Sequence, residues 1–296
     1  MAKDPQAELK AFKAKHGFFV GIDSDGCAFD SMEIKHKECF IPNIIKHWHL
    51  QSVSKYAREA AEFVNLYSKD RGANRWPALV KVFDLLGERP EVLARKAAIP
   101  QAQPLRDFIA SGVPLDNKNL KALIDKTGDA VLKQALHWSE AVNATIADMV
   151  ADVPPFPFVR ESLAKLQPQA DMIVVSQTPT EALVREWAEH GIDKYVRLIC
   201  GQELGTKTEH IALAAKGRYE PDKILMIGDA PGDLKAARAN QARFFPVNPG
   251  REEASWQRFY KEAIDRFLGG TYSADYEQKL VDEFHTFLPE KPPWKK

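Results

Sequence analysis

The sequence predicts an α/β fold, a doubly wound parallel sheet, with an all-helical domain inserted after the first strand. Three observations predict it. Apolar, β-branched runs alternate with helical patterns between Met172 and Val247. A similar run, Phe18-Phe19-Val20-Gly21-Ile22, stands far upstream of the others. Between them lie about 120 residues of helical periodicity alone, enough for a small domain but without a partner for that first strand. Residues 1–30 and 153–296 therefore read as one α/β core with a helical C-terminal extension, and residues 31–152 as the insertion.

The first run reads as a buried strand that stops abruptly at Asp23. Asp25 follows two positions on, and then Gly26, which lets the backbone turn away. Where strand geometry persists, positions i and i+2 project to one side, so Asp23 and Asp25 face one pocket. In the insertion, Trp76, Leu79, Val80 and Phe83 recur at helical spacing, and Leu120, Leu123 and Ile124 repeat the pattern. Asp70-Arg71-Gly72 and Ser111-Gly112-Val113-Pro114 are among the breakers between such runs, and Val153-Pro154-Pro155-Phe156-Pro157 closes the block. Beyond it, residues 172–175 predict a second strand ending at Ser176. Thr178-Pro179-Thr180-Glu181 then fits a Thr-x-x-Glu capping box with proline at the first helical position. Residues 196–200, 223–227 and 243–247 predict three more strands, with helices starting near Glu209 and at Pro231. Two further helices follow, over about 251–268 and 274–288. Their Trp256, Phe259, Tyr260 and Phe267 fit either an extension of the core or a homodimer surface.

Composition narrows the function. At 296 residues, 45% of them hydrophobic, the chain has room for two domains and a substantial core. Lys+Arg and Asp+Glu both number 41, so nothing in the balance favours nucleic acid. Three scattered cysteines, Cys27, Cys39 and Cys200, predict free thiols in a reducing compartment. No apolar run approaches a membrane span, and the first residues contain no secretory h-region. The expected location is cytoplasmic.

In open parallel sheets, ligands sit beyond the carboxyl ends of the strands. Those ends carry Asp23 and Asp25, Ser176, and Asp229 with Asp233 four residues on, while Lys207 stands just before another helix. Four carboxylates, a hydroxyl and a lysine at one edge suit phosphoryl transfer through a carboxylate nucleophile. A phosphate dianion near such a cluster is repelled by about 4 kcal/mol per charge pair at 4 Å and an effective dielectric of 20. A hard divalent cation with oxygen ligands, Mg²⁺ first among them, would offset that repulsion.

Asp23-Ser24-Asp25-Gly26 with Asp30-Ser31 behind it, Ser176, Lys207, and Gly228-Asp229 with Asp233 together resemble the haloacid dehalogenase superfamily. The likeness is to its phosphatase and phosphomutase branch (phosphoglycolate phosphatase and β-phosphoglucomutase-like), whose Rossmann-like core carries a helical cap after the first strand. The resemblance covers residues 18–30 and 153–247, the insertion by position and class only, and the C-terminal extension not at all. It implies that Asp23 is the nucleophile, and that Asp25 is the general acid and then the general base, its pKa raised by neighbouring carboxylates. It implies that Asp23, the Asp25 backbone carbonyl, Asp229 and Asp233 hold the metal. Ser176, Gln177 and Lys207, with the first amides of the helix after Pro179, would bind the phosphate. An acid at position 25 speaks against carbon–halogen cleavage. Two residues depart from the family pattern: Cys27 replaces the usual Thr or Val and reads as a small packing residue, and Ser24 replaces an apolar one.

Two stretches mislead. Gly201 to Thr208 has a P-loop flavour but the wrong glycine–lysine spacing. His47 and His49, two apart on a helix, point about 200° apart and cannot share an ion. Within the cap, Arg71-Gly72-Ala73-Asn74-Arg75-Trp76 reads first as a solvated turn with Trp76 packed in the cap core, and otherwise as the stretch that grips a second anionic group through a guanidinium such as Arg75, with Lys35 and Lys37 as weaker candidates. The expected function is Mg²⁺-dependent hydrolysis of a small phosphorylated metabolite. A phosphosugar mutase is the alternative, and a non-catalytic binding protein the third reading.

Overall fold

The computed structural model describes residues 4–295. Five parallel strands form one sheet in the order β3-β2-β1-β4-β5: β1 Phe18–Ile22, β2 Ala170–Val175, β3 Leu198–Cys200, β4 Ile224–Gly228 and β5 Arg243–Pro246. β1 is central, with Val20 opposite both Met172 and Leu225. The chain steps outward from β1 through β2 to β3 and then returns to the other side of β1 for β4 and β5. This places the topological switch between β1 and β4, where open α/β sheets bind ligands.

Alternation along the strands assigns the two faces. Val20, Ile22, Met172, Val174, Leu225 and Ile227 pack into one buried cluster with Trp187, Trp256 and Phe259. Phe19, Ile173, Val175, Ile224 and Met226 pack into the other with Ile211, Ala215 and Phe284. Both faces are thus covered by helices, as the continuous apolar strands require. A Cβ on Gly21 would stand 3.1 Å from Val175 Cγ2 and 3.2 Å from Met226 Sδ, so glycine at this point of β1 lets its neighbours pack closely.

The chain divides into two compact units: the described residues of Met1–Met32 with Asp152–Leu288, and those of Glu33–Ala151 with Pro289–Lys296. The second unit is all helical and has its own core, built around Trp48, Phe83, Trp76 and Trp138. Its helices include Ser54–Leu66, Arg75–Gly87, Asn117–Thr127 and Ala130–Met149. Gly128, at φ +67°, ends one of these, and Asp129 caps the next by accepting from the amides of Val131 and Leu132.

One detail differs from the sequence expectation. The last residues group with the helical unit rather than the core. The reason is Trp294, whose ring lies 4.4 Å from the Arg89 guanidinium while Tyr56 lies 4.5 Å from that same group. Lys69–Glu290 and Lys295–Glu88 ion pairs add to this anchorage. The 252–287 segment, in contrast, extends the core: Trp256, Phe259 and Phe267 are buried in its first cluster. No helix among the described residues is long and apolar enough to cross a membrane.

Candidate active site

β1 ends at Ile22 and β4 at Gly228, and each delivers a carboxylate just past its end. Asp23 is buried, its amide donating to the Ile227 carbonyl at 3.0 Å, so the first residue beyond β1 stays stitched to β4. Asp229 follows Gly228. Asp233 reaches the same spot from the first turn of the helix Pro231–Ala239, which proline pre-organises. Its Oδ2 accepts from the amides of Asp229 and Ala230, at 3.1 and 3.0 Å. A Cβ on Gly228 would fall 2.3 Å from Asp233 Cβ, so only glycine admits this approach.

Carboxylate oxygens of Asp23, Asp229 and Asp233 all lie within 4.8 Å of one another, and all three residues are buried. Lys207 Nζ sits among them, 2.5 Å from Asp23 Oδ2 and 2.6 Å from Asp233 Oδ1. Burial works against the ammonium charge, but Asp23, Asp233 and Asp229 outweigh it and hold the Lys207 pKa above its ordinary value. Burial pushes the Asp23 carboxyl well up, against the pull of Lys207, and the other two aspartates add to the rise. Three carboxylates against one ammonium leave two formal negative charges in a desolvated pocket. That deficit and an all-oxygen donor set fit a hard divalent cation.

Asp25 stands apart from this trio. Thr178 Oγ1 donates to its Oδ2 at 2.7 Å, and the Ser31 hydroxyl donates to its Oδ1. Ser176 is buried at the end of β2, and its Oγ accepts from the Thr178 amide at 3.2 Å. Gln177 is exposed and bridges the Ser176 and Gly205 carbonyls through Nε2.

The helix after β2, Thr180–Glu189, departs from the expected capping box. Pro179 is its N-cap and no side chain of the motif caps it. Glu203 does so instead, its Oε2 accepting from Thr180 N at 2.9 Å and Thr180 Oγ1 at 2.7 Å. Thr178 is turned away to hold Asp25, Pro179 has no amide hydrogen, and the Thr180 amide assigned to phosphate is occupied by Glu203. The capping box lies at Thr206 and Glu209, directly around Lys207.

In the helical unit, Arg71 is buried and donates to the Leu66 carbonyl. Arg75 lies over the Phe40 ring, and its Nη1 donates to Ser139 Oγ and Asn143 Oδ1, both at 2.8 Å. Burial lowers its pKa to about 10. Lys37 pairs with Glu33. At Cys27 burial pushes the thiol well up, with Asp229, Asp23 and Asp233 adding to the rise, so it stays neutral, as befits a packing residue.

Residues 109–247 match the family model described as haloacid dehalogenase-like hydrolase, a span that includes Ser176, Lys207, Asp229 and Asp233. Over that span the chain is similar to the haloacid dehalogenase-like hydrolases. Among solved structures, a hydrolase described as a haloacid dehalogenase-like family protein from Streptococcus pneumoniae is 14% identical. It covers 83% of this chain and 91% of its own, with a TM-score of 0.48. A protein provisionally named as a phosphoglycolate phosphatase from Lactobacillus delbrueckii is 17% identical, covering 83% and 92% at a TM-score of 0.49. One provisionally named as a β-phosphoglucomutase from Thermotoga maritima is 15% identical, covering 77% and 84% at 0.38. At TM-scores below 0.5 none of these bears on substrate or mechanism. Comparison with curated protein sequences gives no match.

The site residues missing from the sequence reading are the ones that hold others. Thr178 was legible only as a capping residue, because Thr-x-x-Glu occurs at both 178–181 and 206–209 and local pattern cannot choose between them. Glu203, far from Thr180 in sequence, carries no local signal at all.

Proposed function

We propose that this protein is a Mg²⁺-dependent phosphatase that hydrolyses a small phosphorylated metabolite through an aspartyl-phosphate on Asp23. The observation that supports this most is the buried trio of carboxylates around Lys207, with two formal charges left over, beside a separately held Asp25.

Asp23, Asp229 and Asp233, with the Asp25 backbone carbonyl, would hold the cation, and the cation supplies the positive charge that lets a phosphate dianion approach a carboxylate. Asp23 attacks phosphorus with a carboxylate oxygen, and the ester P–O bond breaks. Asp25 gives its proton to the departing oxygen, so the alcohol leaves neutral. It then takes a proton from water as that water attacks the phosphorus of the aspartyl-phosphate. Inorganic phosphate leaves and the Asp23 carboxylate is restored. Lys207 fixes Asp23 Oδ2 through both steps and meets charge developing on the phosphoryl oxygens, while the Ser176 hydroxyl and Gln177 bind the phosphate.

The test is phosphate release from a panel of phosphorylated sugars, nucleotides and organic acids, with Mg²⁺ or with EDTA. Release that needs Mg²⁺ and falls at least a thousandfold in Asp23→Asn is the expected result. Isomer conversion without net phosphate release would replace hydrolysis with transfer back to a sugar.

A further inference from the structure

The turn that carries Asp23 and Asp25 is held by two buried indoles from distant parts of the chain. Trp187, in the helix Thr180–Glu189, donates its Nε1–H to Ser24 Oγ at 3.0 Å. Trp256, in the helix Glu252–Arg258, donates its Nε1–H to the Cys27 carbonyl at 2.7 Å. Both rings and Ser24 are fully buried, so neither N–H has water as an alternative partner.

Ser24 is the keystone of this turn. Its amide donates to Asp23 Oδ1 at 2.8 Å, so a shift of Ser24 carries the nucleophilic carboxylate with it. Its carbonyl accepts from the amides of Cys27, Ala28 and Phe29, at 3.2, 2.9 and 3.1 Å. Gly26, at φ +74°, completes the turn by donating to the Phe29 carbonyl. Within this turn Trp187 fixes one side and Trp256 the other, and the Phe29 ring sits edge-on to Trp187 with centroids 5.9 Å apart. An apolar side chain at position 24 would leave the Trp187 N–H buried and unsatisfied, so Ser24 and Trp187 are a matched pair.

We propose that Trp187 and Trp256 are positioning residues for the reaction: through Ser24 and Cys27 they hold the Asp23 carboxylate and the Asp25 backbone in line for transfer. This rests on the reading of Asp23 as nucleophile. It also gives the C-terminal extension a role in the chemistry, because Trp256 reaches the turn from that extension.

Trp187→Phe and Trp256→Phe remove the donor and keep most of the apolar ring. Each should lower kcat at least tenfold, since a misplacement of about 1 Å costs up to about a hundredfold, with KM within about twofold of wild type. Ser24→Ala should lower kcat by a similar factor. The double variant Trp187→Phe/Ser24→Ala should be no worse than the poorer single one, because both partners of one bond are then gone. Hydrogen exchange at the amides of Ser24, Cys27, Ala28 and Phe29, read without substrate, should speed up at least tenfold in either Trp→Phe variant.

Unchanged kcat and unchanged exchange in the folded variants would overturn the proposal. So would kcat losses that multiply in the double variant. Asp23→Asn separates the two readings: if it keeps full turnover the nucleophile assignment fails, whereas if it is dead while Trp187→Phe and Trp256→Phe are fully active, the positioning assignment alone fails.

Discussion

Single residues in this protein are committed by their charge surroundings. Lys207 is the only cation within 4 Å of Asp23 and Asp233 among the described residues. Replacing it with methionine strands three buried carboxylates, and breaking a buried pair of this kind costs roughly 3 kcal/mol or more. Lys207→Met should therefore lower the midpoint of urea unfolding, and adding Asp23→Asn should recover part of the loss. The same charge count predicts that Mg²⁺ raises the thermal midpoint of the wild type and does so far less in Asp229→Asn, a comparison that needs no substrate. Asp171, at the opposite end of the sheet, shows the reverse balance. Burial penalises its charge, but Tyr219, the amides of Lys15 and His16, and Arg197 together bring its pKa down to about 2. A carboxyl lowered in the folded state adds stability above its unfolded pKa and loses it as pH falls through the folded value. Asp171→Asn should thus be less stable than wild type from neutral pH to about pH 4. The gap should close towards pH 2. A gap that persisted below that would contradict the assignment.

At the scale of elements, helix starts aim the chemistry. The Thr206–Glu209 capping box fixes the first turn of Lys207–Ala215, in which Lys207 is the first residue. Thr206→Ala should cost about 1 kcal/mol, as cap removals do, and should also lower kcat because Lys207 loses its frame. Thermal melts and steady-state kinetics would report the two effects separately. The strands and this edge of the sheet were legible in the sequence for a physical reason: buried parallel strands are continuous apolar runs, and a carboxylate that ends one has no structural excuse. β1, β2, β4 and β5 lie within a few residues of where those runs predict them, and β3 starts two residues later than its run. The capping of Thr180–Glu189 was not legible, because its partner, Glu203, is brought by tertiary structure. Nor was the pairing of Trp187 with Ser24, since an indole donor and a hydroxyl acceptor 163 positions apart leave no periodic trace. The serine at position 24 was visible as a departure, but its partner was not.

For the whole molecule, sequence periodicity separated a helical block from an α/β core, and the C-terminal tail is where it fell short. A Pro/Lys-rich end has no periodicity to assign it, and the contacts of Trp294 with Arg89 and Phe63, with the Lys69–Glu290 and Lys295–Glu88 ion pairs, place it with the helical unit. Trp294→Ala should therefore lower the stability of that unit, read as faster hydrogen exchange in Ser54–Leu66, while exchange in β1 and β4 stays at the wild-type rate. What joins residue, element and fold is the claim that the carboxyl end of β1 delivers a nucleophile. Acid quenching during turnover of the best phosphorylated substrate, followed by digestion and mass spectrometry, tests it most directly. A phosphoryl group on Asp23, absent from Asp23→Asn and labile to hydroxylamine, is the predicted result. Rapid phosphate release with the peptide carrying Asp23 unmodified, or with the phosphoryl group on another residue, would contradict it.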